Sequence, residues 1–165
     1  MIRCSGRDPE KARVDLLVCF AARAEGKEPL GPTAAFASVV RQAWQAGDFA
    51  GKAEETLLWY PPRPALDGIA SPSARRLLVV GCGEVEQEPA RMREQLRAAA
   101  GIAAKQAGKL KAATVMAILP AFTGLAPDEV AECVAEGLVL GNYLFTKYKK
   151  AGDAAEQPVA VREVL

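Results

Sequence analysis

A chain of 165 residues, half of them apolar and a quarter charged, can bury one proper hydrophobic core, which excludes a disordered segment. With 21 Lys and Arg against 20 Asp and Glu the net charge is +1, so nothing in the balance demands nucleic acid or an anionic membrane as partner. No stretch reaches the ~18 uninterrupted apolar residues of a membrane span. The first 20 residues carry charges where an export signal has its apolar run, so the expected location is cytoplasmic.

The first element is Arg13–Ala22, "RVDLLVCFAA", a short apolar run that predicts a buried strand. "GPTAAFASVVRQAWQAGD" follows with Phe36, Val40, Ala43 and Trp44 at helical spacing and Gly47 as a stop signal. "ETLLWYPP" reads as a strand ended by Pro61 and Pro62, and "PRPALDGIASPSA" as a breaker-rich loop. "RRLLVVGCG" predicts a second buried strand, closed by Gly81 and Gly83. A long helix then begins at Pro89, with Met92, Leu96, Ala99, Ala103, Ala107 and Leu110 on one face. Ala113–Pro120 predicts a strand, and Pro127 with Asp128 and Glu129 opens the last helix. After the polar link "AGDAAEQP", the segment "VAVREVL" predicts a final strand. Strands with continuous apolar runs, alternating with amphipathic helices, imply a single α/β layered domain over residues 1–165, with a mixed or largely parallel sheet.

The chemistry missing from the chain is as informative. There is no histidine, which removes Ser-His-Asp and Cys-His nucleophile activation and most zinc sites. Cys4, Cys19, Cys82 and Cys133 are scattered singly, as suits reduced thiols acting as small buried hydrophobes. The serines sit in no nucleophile elbow, and the acidic residues do not cluster at metal-ligand spacing. The expectation is therefore no catalytic residue, no bound cofactor and no metal site in this chain.

Two binding motifs are weak. "VVGCGEVEQEP" begins like a dinucleotide fingerprint, but Glu86 stands where the third glycine belongs and its carboxylate would repel a pyrophosphate. A tight turn off the sheet is the better expectation for Gly81 and Gly83. Arg91, Arg93, Arg97, Lys105 and Lys109, with Lys147, Lys149 and Lys150, form a basic set diluted by Glu88, Glu94 and Glu136. That pattern favours a solvated charged face over a phosphate-binding surface.

The helix around "AEGLVLGNYLFTKYKK" (135–150) spends two glycines one turn apart. On a helical wheel Val130, Val134, Gly137, Gly141, Phe145 and Tyr148 share a face, so the glycines are expected to bring this helix close to the sheet. Each costs ~1 kcal/mol against alanine, so a close approach must repay it. Val139 and Tyr143 fall on the opposite side with Leu140 on the flank, leaving an apolar surface that needs cover. The cover is either another domain or subunit, or the chain's own proline-rich loop.

Together "RVDLLVCF", "GDFAGKAEETLLWY", "RRLLVVGCGE" and "AEGLVLGNYLFTKYKK" stand in the order and spacing of one family. From Arg13 onward the chain resembles the N-terminal domain of the leucyl aminopeptidases, the cytosol aminopeptidase family. The resemblance implies a three-layer α/β/α, macrodomain-like fold. It also implies a separate C-terminal catalytic domain holding two divalent metals, zinc or manganese, none of whose NTDAEGR-type segment occurs here. As partners it implies that catalytic domain, a homo-oligomer (a hexamer in the family) and, for the whole enzyme, peptides as substrates. Val139, Leu140 and Tyr143 are then the expected interdomain or subunit surface. The kinship with macrodomains implies a rival role, binding ADP-ribose or nucleic acid. However, "VDLLVCFAA" carries Cys19-Phe20 where the similar macrodomain strand ends in an asparagine.

Overall fold

A computed structural model describes residues 1–3, 6, 8–31, 34–62, 72–143 and 163–164. The chain opens with a 3-10 turn at Pro9–Lys11, capped by the Asp8 carboxylate accepting from the Glu10 N–H. The elements that follow are β1 (Leu16–Ala24), β2 (Lys27–Leu30), α1 (Ala34–Ala46), β3 (Thr56–Trp59) and β4 (Leu77–Glu84). Then come α2 (Pro89–Lys109), β5 (Thr114–Ala117), α3 (Pro127–Gly141) and β6 (Glu163–Val164).

The sheet order is β3-β4-β1-β5-β6, with β2 added to the far end of β1. The β1–β4, β1–β5 and β5–β6 pairs are parallel and β3–β4 is antiparallel, so the sheet is mixed and largely parallel, as expected. Strand β1 is central. β5 pairs with its first three residues, and β2 takes over at Ala22 and Ala24.

The period of two along β1 divides the core in two. Leu16, Val18 and Phe20 join Leu78, Val80 and Cys82 of β4 beneath α2 and α3. Leu17, Cys19 and Ala21 join Leu77 and Val79 beneath Phe36, Val39 and Val40 of α1, with Phe49 filling the same layer. Helices on both faces of one sheet make a three-layer α/β/α domain, and both faces of β1 are dry. That is why the strand reads as a continuous apolar run.

Three local features depart from expectation. The hairpin β1–β2 was not anticipated, although Glu25-Gly26 is a two-residue turn with Gly26 at φ +63, a recognisable hairpin signal. Gly81 and Gly83 do not turn the chain off the sheet. They lie inside β4, where the 47–55 loop crosses it: the Gly81 N–H donates to the Glu55 carbonyl at 2.8 Å and the Gly83 N–H to the Gly51 carbonyl at 3.0 Å. A Cβ at Gly81 would press into the Lys52 carbonyl, and Gly83 takes φ +86 where the β1–β4 register shifts. Finally, α3 ends at Gly141 with Asn142 as its C-cap, earlier than the apolar run through Phe145 implies. Residues 144–150, including Phe145, Tyr148 and the three lysines, lie outside the described residues.

Candidate interaction face

Helix α3 is held against α2 by charge and by the absence of side chains. Arg93 pairs with Glu129 at 2.6 Å, and Arg97 pairs with Glu136 and, at 2.9 Å, with Glu94 on its own helix. Glu129 also accepts from the Ala126 N–H at 3.1 Å, tying off the first turn of α3. The Arg93 guanidinium and that N–H hold the Glu129 carboxyl below the usual carboxylate range. Past the ion pairs the backbones touch. A Cβ at Gly137 would sit 2.7 Å from the Ala100 Cβ, and one at Gly141 would sit 2.7 Å from the Gly101 Cα.

This corrects the expectation for the glycines. They let α3 approach α2, not the sheet. Val130, Cys133, Val134 and Leu138 supply the core side of α3. Helix α2 carries a second buried stripe, Ala100 and Ala104, that the single-face reading overlooked and that makes the close approach possible. The same ion pairs account for much of the basic set: Arg91, Arg93 and Arg97 all face glutamates.

The three residues expected at an interdomain or subunit surface are exposed. Val139 is 58 % exposed, Leu140 71 % and Tyr143 73 %. Val139 also lines an apolar cavity of about 310 Å³ with Leu138, Asn142, Ala104, Ala107, Val115 and the N-terminal Met1 and Ile2. Met1 and Ile2 are themselves exposed and extend the apolar surface, a contribution sequence reasoning did not consider. The rival cover, the proline-rich loop, falls largely on residues 63–71, outside the described residues.

Among the described residues no three His, Cys, Asp or Glu side chains gather as a metal site, so the described residues do not fit a two-metal centre. Cys19, Cys82 and Cys133 are free and buried, and burial pushes the Cys82 thiol up to about 12. Cys4 lies outside the described residues. A compact carboxylate network at Asp15 is structural. Asp15 Oδ2 accepts from the Ala113 N–H (3.0 Å), the Thr114 N–H and the Thr114 hydroxyl (3.1 Å each), joining the starts of β1 and β5. Burial pushes this carboxyl's pKa up, but those donors and Arg75 outweigh it and leave the carboxyl below its ordinary value. No described helix is long and apolar enough to cross a membrane. At the carboxyl ends of β1 and β5 lies a cavity of about 140 Å³, lined by Cys19, Phe20, Gly31, Ile118, Leu119, Pro120 and Ala121.

The profile of the cytosol aminopeptidase family, N-terminal domain, matches residues 22–152. The chain belongs to that family, as its N-terminal domain. The probable cytosol aminopeptidase of Desulforapulum autotrophicum is 38 % identical over 128 residues, which is 76 % of this chain but 24 % of that protein. A second, from Desulfotalea psychrophila, is 30 % identical and is covered to 25 % of its length. The chain thus spans about a quarter of the curated relatives it matches. Among solved structures, a tomato leucine aminopeptidase variant superposes with a TM-score of 0.60 at 17 % identity, covering 99 % of this chain and 31 % of that one. The macrodomain of Thermus aquaticus DarG does so with a TM-score of 0.60 at 17 % identity, covering 99 % and 95 %. The macrodomain-like α/β fold is the one the aminopeptidase N-terminal domain is built on.

Proposed function

We propose that this chain is the non-catalytic N-terminal domain of a cytoplasmic, two-metal exopeptidase that releases N-terminal amino acids from peptides. Its own task is to scaffold assembly, docking the catalytic domain or a neighbouring subunit through Val139, Leu140 and Tyr143. The observation that carries this reading is the family match over residues 22–152 in a chain that spans only a quarter of its relatives. The exposed apolar end of α3 supports the docking role, because Val139, Leu140 and Tyr143 with Met1 and Ile2 give several exposed apolar side chains, and a contiguous apolar patch marks an interface where a lone exposed side chain does not. In this reading the zinc or manganese ions are held by residues beyond those that match this chain.

The test is an assay of the purified chain on a leucyl chromogenic amide with added zinc or manganese, alone and mixed with the catalytic part of a relative. No turnover alone, and co-elution with the catalytic part, is the expected result. Turnover that follows the chain through purification overturns it.

The second reading, a macrodomain-like binding module, is favoured by the DarG likeness. The cavity at the carboxyl ends of β1 and β5 weighs against it. It holds about 140 Å³ and no charged side chain among the described residues lines it, whereas a drug-sized ligand needs ~300 Å³ or more. The pairing of Arg93 and Arg97 with glutamates weighs likewise against nucleic acid. Calorimetry with ADP-ribose and a salt-dependent DNA shift assay distinguish the three roles, with scaffolding giving neither signal.

A further inference from the structure

The three parallel strands β1, β4 and β5 all start at one end of the sheet, the end opposite the small apolar cavity. There the chain forms an open, mainly polar cavity of about 500 Å³ lined by Arg13, Val14, Asp15, Ser73, Arg75 and Thr114. We propose that this cavity is a binding site for a small oxyanion, of phosphate or carboxylate chemistry, held between the Arg13 and Arg75 guanidinium groups.

Two features carry it. The first is position. The Ser73 N–H donates to the Glu10 carbonyl at 2.8 Å and the Arg75 N–H to the Val14 carbonyl at 3.0 Å, so the segments bearing both arginines are laced together before β1 and β4 begin. The second is charge. The only carboxylate among the described lining residues, Asp15, is already used: Oδ2 takes three donors from Ala113 and Thr114, and Oδ1 faces Arg75 at 3.4 Å. Arg75 keeps most of its guanidinium in water, its side chain being 74 % exposed, and that single long contact leaves other N–H groups free to turn to a ligand. Arg13 is exposed and makes no ion pair with any described residue. Two guanidinium forks against one spent carboxylate leave a net positive cavity, and the fork geometry matches the paired oxygens of phosphate or carboxylate. Arg76, beside it, is occupied differently, donating to the Leu110 carbonyl at the end of α2 at 2.9 Å.

The experiment titrates the 15N-labelled 165-residue chain with inorganic phosphate and, separately, with citrate, at constant ionic strength set by chloride. Saturable shifts of the Arg13, Ser73, Arg75 and Thr114 amides are expected, weakened about tenfold or more in both R13Q and R75Q. R91Q, on the far end of α2, serves as control and leaves the affinity unchanged. Saturation by phosphate alone or citrate alone assigns the site to that chemistry. No saturable shift with either anion up to about 50 mM, or equal weakening in R91Q, shows only the diffuse attraction of a screened surface and overturns the proposal. Neither result bears on the peptidase assignment, which this cavity does not enter.

Discussion

Gly141 and Gly101 meet backbone to backbone where α3 crosses α2, yet they are not equivalent. A Cβ on Gly141 would come within 2.7 Å of the Gly101 Cα, whereas a Cβ on Gly101 would meet the Gly137 carbonyl at a comfortable 3.6 Å. The two glycines therefore predict opposite outcomes on substitution.

Gly141→Ala and Gly137→Ala overpack the seam, at a cost of ~1–3 kcal/mol that exceeds the ~1 kcal/mol of helix propensity gained. For a chain this size the midpoint falls about 2–4 °C per kcal/mol. Gly101→Ala keeps the propensity gain without the clash and raises the midpoint. Scanning calorimetry of the three variants checks this. A stabilised Gly137→Ala would mean that the helices part without penalty.

Tyr143→Glu tests the docking surface. With the ring 73 % exposed, the charge enters water and the melting temperature stays within about 1 °C of the parent. Self-association, or binding to a catalytic part, weakens, as sedimentation would record. A collapse of the melting temperature with association unaffected would return Tyr143 to the chain's own core.

Asp15 links stability to acid. Its folded carboxyl titrates below the unfolded value of 3.8, so the stabilisation is fully present above that value and is lost as the pH falls through the folded one. Asp15→Asn lacks this contribution. The variant is less stable than the parent at pH 7, and the difference between them shrinks as the pH is lowered below about 4. Urea unfolding at several pH values gives the curve. A difference that holds constant down to the lowest pH would exclude linkage through this carboxyl.

Cys82 and Cys19, with thiols raised by burial, should resist alkylation at pH 8 in the folded chain and react fully in denaturant. Mass spectrometry after brief iodoacetamide treatment reads this directly. Rapid native labelling of Cys82 would mean that β4 opens locally.

The layered order was legible because its signals are local and redundant. Leu77–Val80 is apolar throughout since α1 covers one face and α2 and α3 the other. Pro89 and Pro127 mark helix starts without help from tertiary structure. What escaped depends on meetings between distant segments. Gly81 looks like a turn residue until Lys52 is found lying across it, and Gly137 looks like a residue for sheet contact until Arg97 and Ala100 are found opposite. A glycine announces that something comes close but not what. Val139 and Tyr143 were legible as apolar residues on the side of a helix away from its core face, and both are exposed. Met1 and Ile2 beside them carry no periodic signal at all.

At Leu17 and Val18, strand β1 has β4 on one edge, β5 on the other and a helical layer on both faces. None of its central amides can reach water by the fraying of an edge. Leu17 and Val18 should therefore exchange their hydrogens only when the whole domain unfolds, and their exchange free energy would equal the global stability. In β3, whose outer edge has no described partner, Leu57 and Leu58 should exchange at far lower cost. Any rearrangement that leaves β1 protected must then be movement of the layers around a fixed strand.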